Sequence, residues 1–147
     1  MVNENEQTRI LLAQWQTCVG MANNVSQRRD FTNNLFVTVN LAITAAISVV
    51  WDLKSLFLMA AGIAVCALWI KMINHFRVLN KEKFVVINKL EDSLPSKPFS
   101  DEWDRLSHND QYRDATSWEK FLPWVFIVLY AIAIIVILII KFYCGGA

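Results

Sequence analysis

Histidine, cysteine and glycine are scarce in this chain of 147 residues, which holds two, three and four of them. The two histidines, His75 and His108, lie 33 positions apart, and neither has a second ligand at metal-site spacing. There is no glycine-rich phosphate loop, no Gly-x-Ser-x-Gly elbow and no Cys-x-x-Cys pair. The acids Asp101, Glu102 and Asp104 cluster, but at a helix start such a group is a solvated surface compatible with the helix dipole. No residue is therefore assigned to catalysis, to a cofactor or to a metal, and an enzyme is not expected. Cys18, Cys66 and Cys144 are scattered along the chain and give no disulfide framework.

Charge is absent from the interior of three long stretches, reaching only the ends of two of them, and what fills them is apolar. They read as spans at residues 31–51, 53–73 and 121–143. About 20 helical residues cross a hydrocarbon core of about 30 Å. The third stretch, from Leu122 to Ile140, carries no charge and is apolar on every side, so a chain of 147 residues could not bury it in a soluble core. The second is uncharged from Ser55 to Ile70, and the first is the most polar, with Thr38, Asn40, Thr44 and Ser48 inside it. The fold class expected is all-α: three transmembrane helices with amphipathic cytoplasmic extensions, assembled as a homo-oligomeric bundle.

Orientation follows from the basic residues. Of 14 Lys and Arg, all but Lys54 and Lys141 precede the first span or lie between the inner end of the second and the third. Cytoplasmic flanks hold such an excess. Residues 1–30 and 74–120 are thus expected inside, and the tail 144–147 outside, in a multi-pass protein of a bacterial inner membrane. The first thirty residues show no leading apolar core, so the first span is expected to act as an uncleaved anchor. Trp51 and Tyr143 fall at the outer boundary, and Trp69, Trp118 and Trp124 near the inner one, where aromatic rings favour the headgroup region.

The polar parts carry helical patterns. Leu11, Trp15, Cys18, Ala22 and Val25 share one stripe, and no Pro or Gly between Ala22 and Val39 prevents that helix from running on into the first span. Arg28 and Arg29 close it at the membrane surface, where they can meet lipid phosphates or helix-end carbonyls, although a role as topology determinants is enough to account for them. Beyond the second span, Phe76, Leu79, Val86, Ile87, Leu90 and Leu94 continue the helical period up to Pro95. A single amphipathic helix is marginal in water. Leu11, Trp15, Leu79, Ile87 and Leu90 are accordingly expected to form an assembly stripe. Ser100 reads as the cap of a short helix, Thr116 to Glu119 has capping-box spacing, and Phe121 to Trp124 reads as an interfacial turn.

Inside the membrane, Asn33, Asn40, Thr44 and Ser48 share one face of the first span. Asn is costly toward lipid, so this face must meet protein or water. One reading is hydrogen bonding between helices, and the other is the lining of a conduit. In the second span Ser55, Met59, Gly62 and Cys66 make a mostly small stripe, with Ala60 and Ala64 a second one, both suited to close helix approach.

The segments Gln27-Arg28-Arg29, Asn33 to Asn40, Leu79 to Ile87, Leu94-Pro95, Pro98-Phe99, Glu102-Trp103 and Glu119 to Trp124 together resemble the RipA family of small bacterial inner-membrane proteins. The resemblance covers about residues 10 to 140 and implies an octameric membrane protein with no assigned reaction. The chain is similar, more weakly, to the two-span effector domains of bacterial nucleotide-signalling and defence systems, from which its third span departs. The partners expected are membrane lipid, further copies of the chain and a cytoplasmic protein, with no nucleic acid. A scaffold or envelope-stress role is the first reading. A channel or permeabilising effector lined by the Asn40 face is the second.

Overall fold

A computed structural model of the protein describes residues 4–49, 52–110 and 115–144. Among them the secondary structure is entirely helical: α1 (Glu4–Val49), α2 (Ser55–Glu91), α3 (Pro98–Ser107) and α4 (Ala115–Ile139), which runs into a π-helical turn at Ile140–Cys144. Trp51, part of the 107–114 connection and most of the tail lie outside the described residues. Helices α1, α2 and α4 are each long and apolar enough to cross a membrane.

The boundaries have local causes. With no Pro or Gly between Ala22 and Val39 to interrupt it, α1 is continuous over 46 residues. Asp52 starts α2: its carbonyl accepts from the Ser55 amide at 3.1 Å and hydroxyl at 2.7 Å, and its carboxylate from the Lys54 amide at 2.8 Å. Helix α2 stops at Glu91, and the amides of Asp92, Ser93 and Leu94 close the last turn before Pro95.

Three local expectations are corrected. Helix α3 begins at Pro98, not after Ser100, and the side chain at its cap position, Lys97, makes no capping bond to the helix. Pro at the first helical position supplies a suitable φ and forfeits only an amide that has no helical partner there. Helix α4 starts at Ala115, which places Thr116 inside the helix. There is no turn at Phe121 to Trp124, because α4 passes through a fully buried Pro123. In apolar surroundings, a missing N–H leaves fewer groups unpaired than a broken backbone would.

The chain divides into two units, Met1–Arg29 with His75–Asp114, and Asp30–Asn74 with Ala115–Ala147. The second holds an apolar core of Ile47, Met59, Cys66, Trp69, Ile73, Phe126, Tyr130 and Ile137. It is flanked by Phe36, Val37, Ile43 and Leu56, among others. Trp69 belongs to this core and is not an interfacial anchor, whereas Trp118 and Trp124 are exposed. In the first unit, Ala22 and Val25 of α1 and Phe76 and Ile87 of α2 are buried. Phe99 of α3 packs its ring 5.8 Å from Trp15 and 5.7 Å from Phe84.

Candidate functional site

Each unit buries one polar cluster. In the second it centres on Asn40, which has no exposed surface. Its amide nitrogen donates to the Phe36 carbonyl at 2.8 Å, one turn back on α1. Its side-chain oxygen faces two other helices, accepting from the Cys66 thiol of α2 at 3.2 Å. The Tyr130 hydroxyl of α4 lies 3.1 Å from that same oxygen and 3.1 Å from the Asn40 backbone carbonyl. One residue thus ties three spanning-length helices. The Thr44 hydroxyl donates to the Asn40 carbonyl at 2.8 Å and lies 3.5 Å from the Tyr130 hydroxyl.

A second tie lies one and two turns before Asn40. The indole N–H of Trp69 donates to the Asn33 side-chain oxygen at 2.8 Å, and Phe36 stacks on Trp69 with centroids 5.7 Å apart. Of the four residues expected on one polar face, Asn33, Asn40 and Thr44 are therefore engaged across helices. Ser48 is exposed and returns its hydroxyl to the Ala45 carbonyl at 2.7 Å. Such back-bonding satisfies a hydroxyl without any neighbour. On α2 the line Ser55, Met59, Gly62 and Cys66 is buried, whereas Ala60 and Ala64 are exposed.

In the first unit the cluster centres on Glu91, which is fully buried at the end of α2. One carboxylate oxygen accepts from the Trp15 indole at 3.3 Å and the Phe99 amide at 3.2 Å. The other accepts from the Ser100 amide at 3.1 Å and hydroxyl at 3.2 Å. The amides are those of the first turn of α3, which have no partner inside their own helix. Glu91 thus caps α3 from another helix, in the place expected of Ser100, and its charge faces the positive end of the helix dipole. Nearby, the Lys97 ammonium donates to Asp92 at 2.6 Å, and that hydrogen bond and charge raise the Lys97 pKa above its ordinary value.

This arrangement revises the assembly stripe. Ile87 is buried, Leu11, Trp15 and Leu90 are half-buried, and Leu79 is exposed. The inward face of α2 runs Phe76, Asn80, Phe84, Ile87 and Glu91, with the side-chain oxygens of Asn80 and Asn88 also shielded from solvent. Arg28 is exposed and Arg29 half-buried. Sequence reasoning missed Glu91, Tyr130 and the inward role of Trp69. A signal existed for the phenol: Tyr130 is the one hydroxyl within the apolar run from Leu122 to Ile140. For Glu91 the only cue was its helical spacing from Ile87 and Phe84.

Three spanning-length helices joined by buried polar contacts define a multi-span helical membrane protein. A family model described as octameric membrane protein family (8xMP) matches residues 12–140, and the chain belongs to that family. The match is consistent with the resemblance read from the motifs. Neither curated proteins nor solved structures gave a match.

Proposed function

We propose that the protein is a non-enzymatic homo-octameric scaffold or envelope-stress factor of the bacterial inner membrane. In this reading the unit rich in charge lies on the cytoplasmic side, with the N-terminus inside and the C-terminus outside, and it forms a collar that positions a cytoplasmic partner. The observation that carries the proposal is the enclosure of Asn40. This asparagine, well inside the first span, is consumed in holding three helices together and has no surface left to offer water. Buried polar contacts of this kind fix one helix arrangement, which a scaffold needs.

A channel is the second reading, favoured by the exposure of Thr44 and Ser48 on α1. Their hydroxyls are already bonded to backbone carbonyls, an arrangement equally suited to lipid or to a neighbouring helix. The deciding experiment is electron microscopy of the protein in lipid nanodiscs, joined to single-channel recording. A closed ring of eight with no water-filled axis, and silent bilayers, supports the scaffold. Unitary currents altered by Ser48→Leu, with assembly intact, overturn it in favour of the channel. Labelling of Cys18 and Cys144 from outside intact cells tests the orientation. Outside access to Cys18 inverts it.

A further inference from the structure

Two asparagines on α2 stand apart from the polar clusters. The side-chain oxygens of Asn80 and Asn88 are shielded from solvent and, among the described residues, accept no hydrogen bond. Turning either amide over would strand an N–H group in place of the oxygen, so the deficit holds for both orientations. A shielded acceptor without a donor destabilises the closed state, because the same oxygen is bonded once water reaches it. Asn40 gives the contrast, since its oxygen is engaged by both Cys66 and Tyr130. The same side chain closes the second unit and weakens the first.

Both amides lie where the first unit has little else to hold it. Asn80, Phe84, Ile87 and Glu91 recur at spacings of four, three and four, which puts Asn80 in line with the inward residues. Asn88 follows about 12 Å further along the helix, next to Ile87. The apolar part of this seam is thin. Among the described residues, the fully buried apolar side chains of the unit are Ala22, Val25, Phe76 and Ile87, and the two from α1 are small. At its end the seam is fastened by the Trp15 indole on Glu91 at 3.3 Å, the longest of the contacts given above for that carboxylate.

Resting on the reading that this unit lies in water, we infer that its α1–α2 pair is a clasp, which opens along Asn80 and Asn88 while the spanning helices stay closed. Opening hydrates both amides, and that gain offsets part of the apolar area uncovered. It also parts Trp15 from Glu91 and from the Phe99 ring, so the same motion loosens α3. Segments with few buried apolar contacts are those that open below the level of global unfolding. The pair is the moving part of the molecule, and the two asparagines keep it close to opening.

The test is hydrogen exchange read by mass spectrometry on the full-length protein in nanodiscs. Asn80→Leu and Asn88→Leu replace each stranded amide with an apolar side chain of similar branching. Each is expected to slow exchange over residues 11–25 and 76–90 by about tenfold, with the spanning segments unchanged. Exchange that is unchanged or faster in both leucine variants shows that the amides have donors, from water or a neighbouring copy, and overturns the inference. Asn88→Asp keeps the shape and brings charge to the same shielded place, so it is expected to speed exchange over those segments. No change in that variant also overturns the inference. If the unmodified unit exchanges as slowly as the spanning helices, its placement in water fails, and the clasp fails with it.

Discussion

The ring of Tyr130 occupies the space that a side chain at Gly62 would need: a Cβ placed there would lie 2.5 Å from Cε2 and 2.7 Å from Cζ. Glycine at this position lets α4 come close enough to α2 for the phenol to reach Asn40 on α1. Replacing Gly62 with Ala adds helix propensity of at most ~1 kcal/mol, but overpacking a filled core costs ~1–3 kcal/mol. Gly62→Ala is therefore expected to lower the thermal midpoint in detergent. Tyr130→Leu should relieve the clash, so the double variant is more stable than the sum of the single losses implies.

Asn40→Leu removes the acceptor shared by Cys66 and Tyr130. Hydrogen bonds between membrane helices average ~0.6 kcal/mol each, so the expected loss is on the order of 1–2 kcal/mol. Tyr130→Phe should lose less, since Asn40 keeps the Cys66 thiol. Urea or SDS unfolding in micelles ranks the two, and a larger loss for Tyr130→Phe would displace Asn40 as the centre of the cluster.

Glu91 is held only by neutral donors among the contacts described above, and the consequence is local. Glu91→Ala leaves the Trp15 indole and two α3 amides without their acceptor, at ~1–3 kcal/mol per stranded group if they stay buried. Hydrogen exchange at Phe99 and Ser100 should accelerate strongly, with exchange in the membrane-spanning helices unchanged. Glu91→Gln keeps one acceptor oxygen and should fall between the two. Unchanged exchange at those amides would refute the cross-helix cap.

The Cys66 thiol is fully buried and bonded, whereas Cys18 is half-buried on α1. In a Cys144→Ser background, a membrane-permeant maleimide should modify Cys18 in the native protein, and Cys66 only after denaturation. Asn40→Ala should make Cys66 reactive without denaturant, which mass spectrometry of tryptic peptides would report.

The three spanning helices were legible because length and the absence of charge suffice to identify them, and the run from Ala22 to Val39 foretold the continuity of α1. Side-chain size offered two lines on α2, and only the one through Gly62 and Cys66 is buried. What stayed hidden were residues whose roles depend on a distant partner. Glu91 reads as a surface acid until the first turn of α3 is placed above it. Trp69 reads as an interfacial anchor until Asn33 takes its indole N–H. Periodicity favoured Leu79 over Asn80 for the core face of α2, since a hydrophobic pattern cannot register a polar side chain that is sequestered with its neighbours.

Tyr130 lies 90 positions after Asn40. At a synthesis rate of about 5–20 residues per second, about 5–18 s separate their emergence from the ribosome. Through that interval Asn40 has the Phe36 carbonyl and, once α2 has entered, the Cys66 thiol, but no phenol. The first two helices must therefore wait in the bilayer as an incompletely bonded hairpin, and the arrival of the last helix is the event that closes the subunit. A ribosome stalled before residue 130 would leave a half-built protein with a polar seam open to any passing helix, and the quality-control machinery of the membrane would meet it in that state.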